Sequence, residues 1–347
     1  MKFKTSVSAV ALALFLVACG GGGGSSSPSA PVGTTPPVSV PAPAPVVTQA
    51  SIQTSVPALT YAATSEEFQF ITAWNQFRAQ MGLGLLAQSA TLDKASLNHL
   101  EYVLKNDELN GGTVNFRTID PATNRPMFHI EQGGKPLFTG VQEFDRAKSV
   151  GFTGSYVGEM LAFPGKSGAR VGLEQLASGI YHRVGLMAQA PNEVGVATGQ
   201  DNSRTVVTEI GTTKAQTQAG DYIGVYPSAN QTGVGLHAGA ETPNPFPDLS
   251  TANADFPTKT GYPVNVVVKE GVALEVVSFT LTEAGAAAPL DARIITSAKD
   301  PNRYLASNIA FLVAKTPLKV GTTYTAKFSG RMNNALVNKE WQFTTRQ

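Results

Sequence analysis

Five side chains of this sequence are best suited to chemistry: His99, His129, His182, Glu131 and Glu159. An imidazole near neutral pH can accept a proton, donate one or ligate a metal, and a carboxylate can orient it or share its partner. From Met127 to Glu159 a histidine, a carboxylate, a short helix and a second carboxylate follow one another, which reads as the wall of a polar cleft. Gly133-Gly134 turns the chain after His129. Thr139 and Gln142 have the T-x-x-Q spacing of a capping box, and Gly151 closes the helix that follows. Gly158 lets the backbone bend at Glu159, whose neighbours Tyr156, Val157, Met160 and Leu161 are largely apolar. An unpaired acid there would be costly, so Glu159 is expected to have a partner.

The remaining candidates sit on helices. Ser65 is an N-cap, with Glu66 and Glu67 at the positive end of the helix dipole and Phe70, Trp74, Phe77 and Met81 at helical spacing up to Gly82. A second helix, about Thr91 to Lys105, has a stripe of Leu92, Ser96, Leu100, Val103 and Leu104. His99 lies at its edge, first as a packed core histidine and in reserve as a ligand. A third, roughly Ala169 to Met187, turns Leu173, Leu176, Ile180, Val184 and Met187 to one side. His182 points off that stripe, as either a cleft residue or a solvated one. Two short runs, Asn192 to Thr198 and Arg204 to Ile210, read as a hairpin, and Tyr222 to Tyr226 adds a strand. Helices first and strands later predict an α+β fold, with helices packed on an antiparallel sheet.

Composition restricts the function classes. The 347 residues allow two domains, and 42% hydrophobic content suffices for ordinary cores. A formal charge of +1 with 15% charged residues gives no broad electropositive face, so no nucleic-acid partner is expected. Lys2 and Lys4 precede the apolar run Val7 to Val17, too short to span a bilayer and suited to a signal peptide over residues 1–18. The run ends in Leu16-Val17-Ala18-Cys19, which resembles the bacterial lipobox, in which the cysteine is acylated after cleavage. Because Cys19 is the only cysteine, an internal disulfide is excluded. Residues 19–60 are rich in Gly, Ser and Pro and read as a tether. About forty residues of this kind would reach on the order of 40 Å from the lipid.

A second change of composition falls at Thr242 to Pro257, where Pro243, Pro245, Pro247 and Pro257 crowd together and mark a domain boundary. Beyond it come strand runs alone: Val264 to Lys269, Leu274 to Leu281, Ala292 to Ser297, Ala306 to Val313, Thr322 to Phe328 and Lys339 to Thr345. Their spacing predicts a β-sandwich of about 90 residues over 255–347. The stretch Pro317 to Tyr324 and the closing Trp341 to Phe343 resemble bacterial immunoglobulin-like domains, usually spacers or adhesion modules.

The region before it, 61–245, resembles the CAP superfamily (cysteine-rich secretory proteins, antigen 5 and pathogenesis-related 1) in its bacterial secreted form. Trp74-Asn75-Gln76-Phe77-Arg78 with Gly82-Leu83 resembles the family's opening helix. Leu92 to His99 is similar to its second helix, and Gly158-Glu159-Met160 stands where the family has Gly-Glu-Asn. Ser178 to Arg183 followed by Asn192 to Val196 is similar to its histidine-bearing helix and next strand. The resemblance implies an α-β-α sandwich whose cleft gathers two histidines and two glutamates, in some members around a divalent metal. Carried over, His129, His182 and Glu159 are the metal-site candidates, with zinc or another divalent ion as the expected cofactor. Glu131 and Glu174 are both open for the second glutamate.

With no cysteine left for catalysis and no G-x-S-x-G elbow, the expectation is a lipoprotein binding a lipid, sterol or cell-wall component in this cleft without catalysis. A metal-dependent hydrolase using the same residues and a purely structural adhesion protein are the alternatives. Gly20 after the cysteine favours an outer-membrane lipoprotein by resemblance to Gram-negative sorting signals. If the anchor is as read, Cys19→Ala will not incorporate labelled palmitate and will leave the mature membrane fraction. Unchanged fractionation and labelling would exclude the anchor.

Overall fold

The helix opened by Ser65 forms as its sequence requires: Ser65 Oγ accepts from Phe68 N at 3.2 Å, and α1 (Glu66–Gln80) follows. The computed structural model describes residues 49–123, 125–202, 204–248 and 260–347, so the signal segment, Cys19 and most of the tether lie outside it. α1 turns Phe70, Ile71, Trp74, Phe77 and Arg78 inward, and Gly82 at φ +70° releases the chain. After β1 (Ala87–Gln88), α2 (Ala90–Asn106) buries Leu92, Ala95, Ser96, His99, Leu100, Tyr102 and Val103. A small hairpin, β2 (Ile119–Asp120) and β3 (Arg125–Pro126), leads into the 3-10 turn Met127–His129. Then come α3 (Glu143–Ser149), β4 (Tyr156–Ala162), α4 (Ala169–Ser178), α5 (Tyr181–Leu186), β5 (Glu193–Thr198) and β6 (Val206–Thr212).

The first sheet has the order β1-β5-β6-β4; β1 joins β5 in parallel and the other pairings are antiparallel. Period-2 alternation sends Val194, Val196, Ile210 and Met160 into one core with Phe70, Trp74, Leu173 and Leu186. The opposite face carries Leu161, Ala197 and Val207 with Leu100, and Val157 with Leu92 and Ala147. Helices therefore cover both faces of the sheet, and the fold is α+β. Gly195 is required where α2 crosses: a Cβ there would lie 2.1 Å from the Leu92 carbonyl carbon.

The six strands expected after the proline cluster all form: β9 (Val264–Val268), β10 (Leu274–Glu283), β11 (Ala292–Thr296), β12 (Ile309–Ala314), β13 (Thr323–Met332) and β14 (Ala335–Thr345). They build two sheets, each completed by a strand from before Pro243. β7 (Ile223–Tyr226) pairs with β9 in the order β11-β12-β9-β7, and β8 (Gln231–Val234) runs parallel to β14 in the order β10-β13-β14-β8. Tyr222 to Tyr226 thus extends a C-terminal sheet and not the helix-covered one, because Val225 finds Val266 as its partner. One apolar core runs from Trp74 and Leu173 through Tyr226 and Tyr262 to Val266 and Phe328. By its contacts the folded part is a single unit through to Gln347.

Two corrections concern local elements. The expected helix over Ala169 to Met187 is broken at Gly179, which separates α4 from α5. The capping box before α3 is formed by Gln142 and Asp145, one register later than Thr139 and Gln142.

β9 is buried at every position, and without β7 one of its edges would be unpaired. A fragment starting at Asp255 should therefore unfold at lower urea concentration than one starting at Ala219. Equal midpoints would show β7 and β8 to be dispensable.

Candidate functional site

His129 ends the 3-10 turn, held from behind: its Nδ1 lies 3.0 Å from Glu159 Oε1 on β4. Glu159 is fully buried, and its other oxygen accepts from Arg146 Nη2 of α3. His99, on the buried face of α2, places Nε2 2.8 Å from the Phe128 carbonyl and 3.6 Å from Glu159 Oε1, and Nδ1 3.0 Å from Glu131 Oε1. Glu131 in turn accepts from Thr139 N at 2.7 Å and Gly140 N at 3.3 Å. Arg146 Nη1 donates to the carbonyls of His129 and Val141, both at 3.3 Å, while its Nε stands 3.9 Å from both Glu131 and Glu209. Five separate segments, α2, the turn and loop bearing His129 and Glu131, α3, β4 and β6, thus meet in one buried polar network.

Strand register explains its electrostatics. Glu159 on β4 and Glu209 on β6 are direct cross-strand partners on the same face, and like charges so placed repel. Burial pushes the Glu159 carboxyl up, but the charges of Arg146, His99 and His129 outweigh burial and hold it well below the usual carboxylate range. Burial, reinforced by the Glu159 charge, drives Glu209 well above that range, and neither of its oxygens has a hydrogen-bond partner among the described residues. The two opposed carboxyls are thus pushed in opposite directions, Glu159 down and Glu209 up. Burial lowers the affinity of Arg146 for its proton, and the charges of Glu159, Glu209 and Glu131 more than restore it.

His182 is placed differently. Its Nδ1 lies 2.9 Å from Glu241 Oε1, and the same carboxylate accepts from His182 N at 2.9 Å and Ile180 N at 2.7 Å. Gly179 makes this possible, since a Cβ there would lie 2.5 Å from Glu241 Oε1. His129, His182, His237 and Glu241 line one cavity of about 470 Å³, with Phe128, Leu161, Phe163 and Leu176 as apolar wall. His237 Nδ1 lies 3.2 Å from the Ala238 carbonyl. In all three histidines Nδ1 is the engaged nitrogen, and Nε2 has no hydrogen-bond partner among the described residues.

The expected partner of Glu159 is therefore present, and His99, His129, Glu131 and Glu159 come together. His182 shares the cavity with His129 but is oriented by its own carboxylate. Glu174 is exposed and faces Arg170 at 4.0 Å. Among the described residues, no group of three or more His, Cys, Asp or Glu side chains is arranged to hold a metal ion. Cys19 lies outside the described residues. Arg146, Glu209, Glu241 and His237 went unnoticed in the sequence. Glu209 left a legible signal, an acid in the middle of the buried run Val206–Thr212. Glu241 left none, because its role depends on a contact with a helix 59 residues away.

No protein-family model matches the chain, and no curated protein matches it. Among solved structures, the chain is similar to an outer surface protein from Borrelia burgdorferi, at 14% identity and a TM-score of 0.32, over 44% of this chain and 97% of that one. Among the described residues no helix is long and apolar enough to cross a membrane.

The two opposed glutamates give opposite pH dependences. Stability supplied by Glu159 is present above its unfolded value, about 4.3, and is lost as pH falls through its lower folded value. Stability associated with protonated Glu209 is present below that unfolded value and is lost as pH rises through its higher folded value. In urea unfolding over about pH 3 to 8, Glu209→Gln should remove the decline on the alkaline side, and Glu159→Gln should weaken the protein most at neutral pH. Parallel pH profiles for parent and Glu209→Gln would show that Glu209 is ionised in the fold.

Proposed function

We propose that this chain is an exported CAP-like lipoprotein of the cell envelope, anchored in the outer membrane through Cys19, whose cleft binds an amphipathic lipid, sterol or cell-wall component without chemical conversion. The observation that carries this reading is the pair of carboxylate-backed imidazoles, His129 on Glu159 and His182 on Glu241, facing one cavity with an apolar wall. Each buried carboxylate fixes a ring and leaves Nε2 to meet a polar ligand group, while Phe128, Phe163, Leu161 and Leu176 take its apolar part. The lining hydroxyl of Ser178 donates its proton to the Gln175 carbonyl at 2.7 Å, an engagement within its own helix that supports binding over acyl transfer. The C-terminal sheets act as a rigid support in the manner of immunoglobulin-like spacers.

A metal is the second reading, favoured by the same carboxylates, because a metal-ligating imidazole commonly gives its other N–H to such a group. Zinc would be held by Nε2 of His129 and His182. Glu159 is committed to Arg146 and the histidines, so it would stand behind a ligand and would not be one.

Extraction of the purified protein followed by mass spectrometry should recover an amphipathic compound, depleted in His129→Ala/His182→Ala. Equal recovery from both would move the ligand out of this cavity. The same pair tests zinc: a melting temperature that rises with zinc in the parent alone adds the metal, and a flat response in the parent removes it.

A further inference from the structure

The His129 cavity does not end at its own walls. Phe128 and Phe163 also line a second cavity of about 490 Å³, beside Asp107, Asn110 and Arg117, while Gln175, Ser178 and His237 also line a third of about 520 Å³ that α1, α4 and β8 enclose. The second and third have no lining residue in common, so the three stand in series with the His129 cavity in the middle. Chambers of nearly equal volume in a row suit a linear chain of like units. The lining gives the chemistry of those units. Its charges are matched: Arg117 donates to both oxygens of Asp107 at 2.7 and 2.8 Å, Arg170 faces Glu174 at 4.0 Å, and His182 engages Glu241. Arg346 at the third cavity and Asp201 at the second, which accepts from Thr205, add one charge of each sign. Exposed amides stand between them. Gln76, Gln80 and Gln175 have no side-chain hydrogen-bond partner among the described residues, and Asn110 uses only Nδ2, toward the Leu104 carbonyl at 3.4 Å. Phe163, 40% exposed, lies 4.8 Å from Phe128 between ring centres, an apolar face where two polar chambers meet.

We propose that the three cavities form one binding track for a linear, uncharged glycan, with sugar units in successive cavities and Phe163 packed against a ring face where the chain passes from one to the next. An amide offers a donor and an acceptor side by side, which suits hydroxyl and acetamido groups, whereas matched charges give a phosphate or an ammonium group little to bind. An aliphatic chain lying in the outer cavities would cover these amides without pairing them, at a cost in free energy. The track rests on the cleft-binding reading for its middle cavity alone, and it favours a cell-wall component over a lipid or sterol.

Calorimetric titration of the purified protein with N-acetylglucosamine oligomers should show the hexamer binding about tenfold more tightly than the dimer or better, because only the longer chain engages cavities beyond the first. Gln76→Ala/Gln80→Ala in the third cavity and Asn110→Ala/Phe163→Ala in the second should each weaken hexamer binding by about fivefold to tenfold. All four side chains are exposed, so the melting temperature should not change. The proposal is overturned if the hexamer does not bind, if it binds no more tightly than the dimer, or if either variant binds it like the parent. His129→Ala/His182→Ala separates the track from the cleft reading. A lipid extracted from the parent and lost from that variant, with no hexamer binding by the parent, keeps the cleft and removes the track. Hexamer binding that both outer variants weaken and His129→Ala/His182→Ala leaves unchanged keeps the track and takes the imidazoles out of it.

Discussion

Everything around the cleft depends on one buried cation. Arg146 has no exposed surface, yet three acids on three different segments, Glu131, Glu159 and Glu209, converge on it. Without it the site would hold mutually repelling carboxylates in a water-poor interior, which proteins tolerate only when such groups are paired. The seven-residue helix α3 is too short to be stable on propensity alone, so its position is set by what Arg146 reaches. Gly140 lets the preceding loop come close enough, since a Cβ there would lie 2.8 Å from Arg146 N. The network therefore fixes a helix, a loop and two strands together, and His129 inherits its orientation from all of them.

A second buried arginine plays the corresponding part at the other layer. Arg183 of α5 donates to the carbonyls of Ala177 and Pro263 and to Asn265 Oδ1, and lies 4.9 Å from the ring centres of Tyr226 and Tyr262. Burial lowers its affinity for the proton, and among the described residues no carboxylate pairs with it directly; the aromatic faces and carbonyl dipoles carry the charge instead. Arg146 ties the helices to their own sheet, whereas Arg183 ties α5 to the C-terminal sheets. An arginine this dependent on Pro263 and Asn265 leaves the helical layer little freedom to move apart from the strands that follow it.

Where a single segment decided the outcome, the sequence was legible. Ser65 as cap, the apolar stripe of α1, the α2 helix and all six late strands could be read from local periodicity. The need of Glu159 for a partner followed from its apolar neighbours, but the partner itself did not. Arg146 lies in a polar-looking stretch, Glu-Phe-Asp-Arg-Ala-Lys-Ser, where a charged residue is normally solvated. His182 does turn off the apolar stripe toward the cavity, but not on one continuous helix, because the chain breaks at Gly179. Tyr222 to Tyr226 was legible as a strand but not its pairing with β9, and β8, which pairs in parallel with β14 more than a hundred residues later, was not legible at all. Such long-range pairings leave no local pattern, and so two strands from before Pro243 belong to the sheets that follow it.

The position of Glu241 brings these strands into the account of the cleft. His237 bridges to Gly261, Leu318 N donates to the Leu236 carbonyl at 2.7 Å, and Gly239 N donates to the Ser178 carbonyl at 3.0 Å. The segment bearing His237 and Glu241 is thus clamped between the C-terminal sheets on one side and the end of α4 on the other. Glu241 then caps α5 and orients His182 from that clamped position. Part of the cavity's polar wall, His237 and Glu241, is therefore supplied by a chain segment held in place by the late strands. Those strands have a role beyond spacing: removing them would leave His129 on its network but take from His182 the carboxylate that directs it into the cavity.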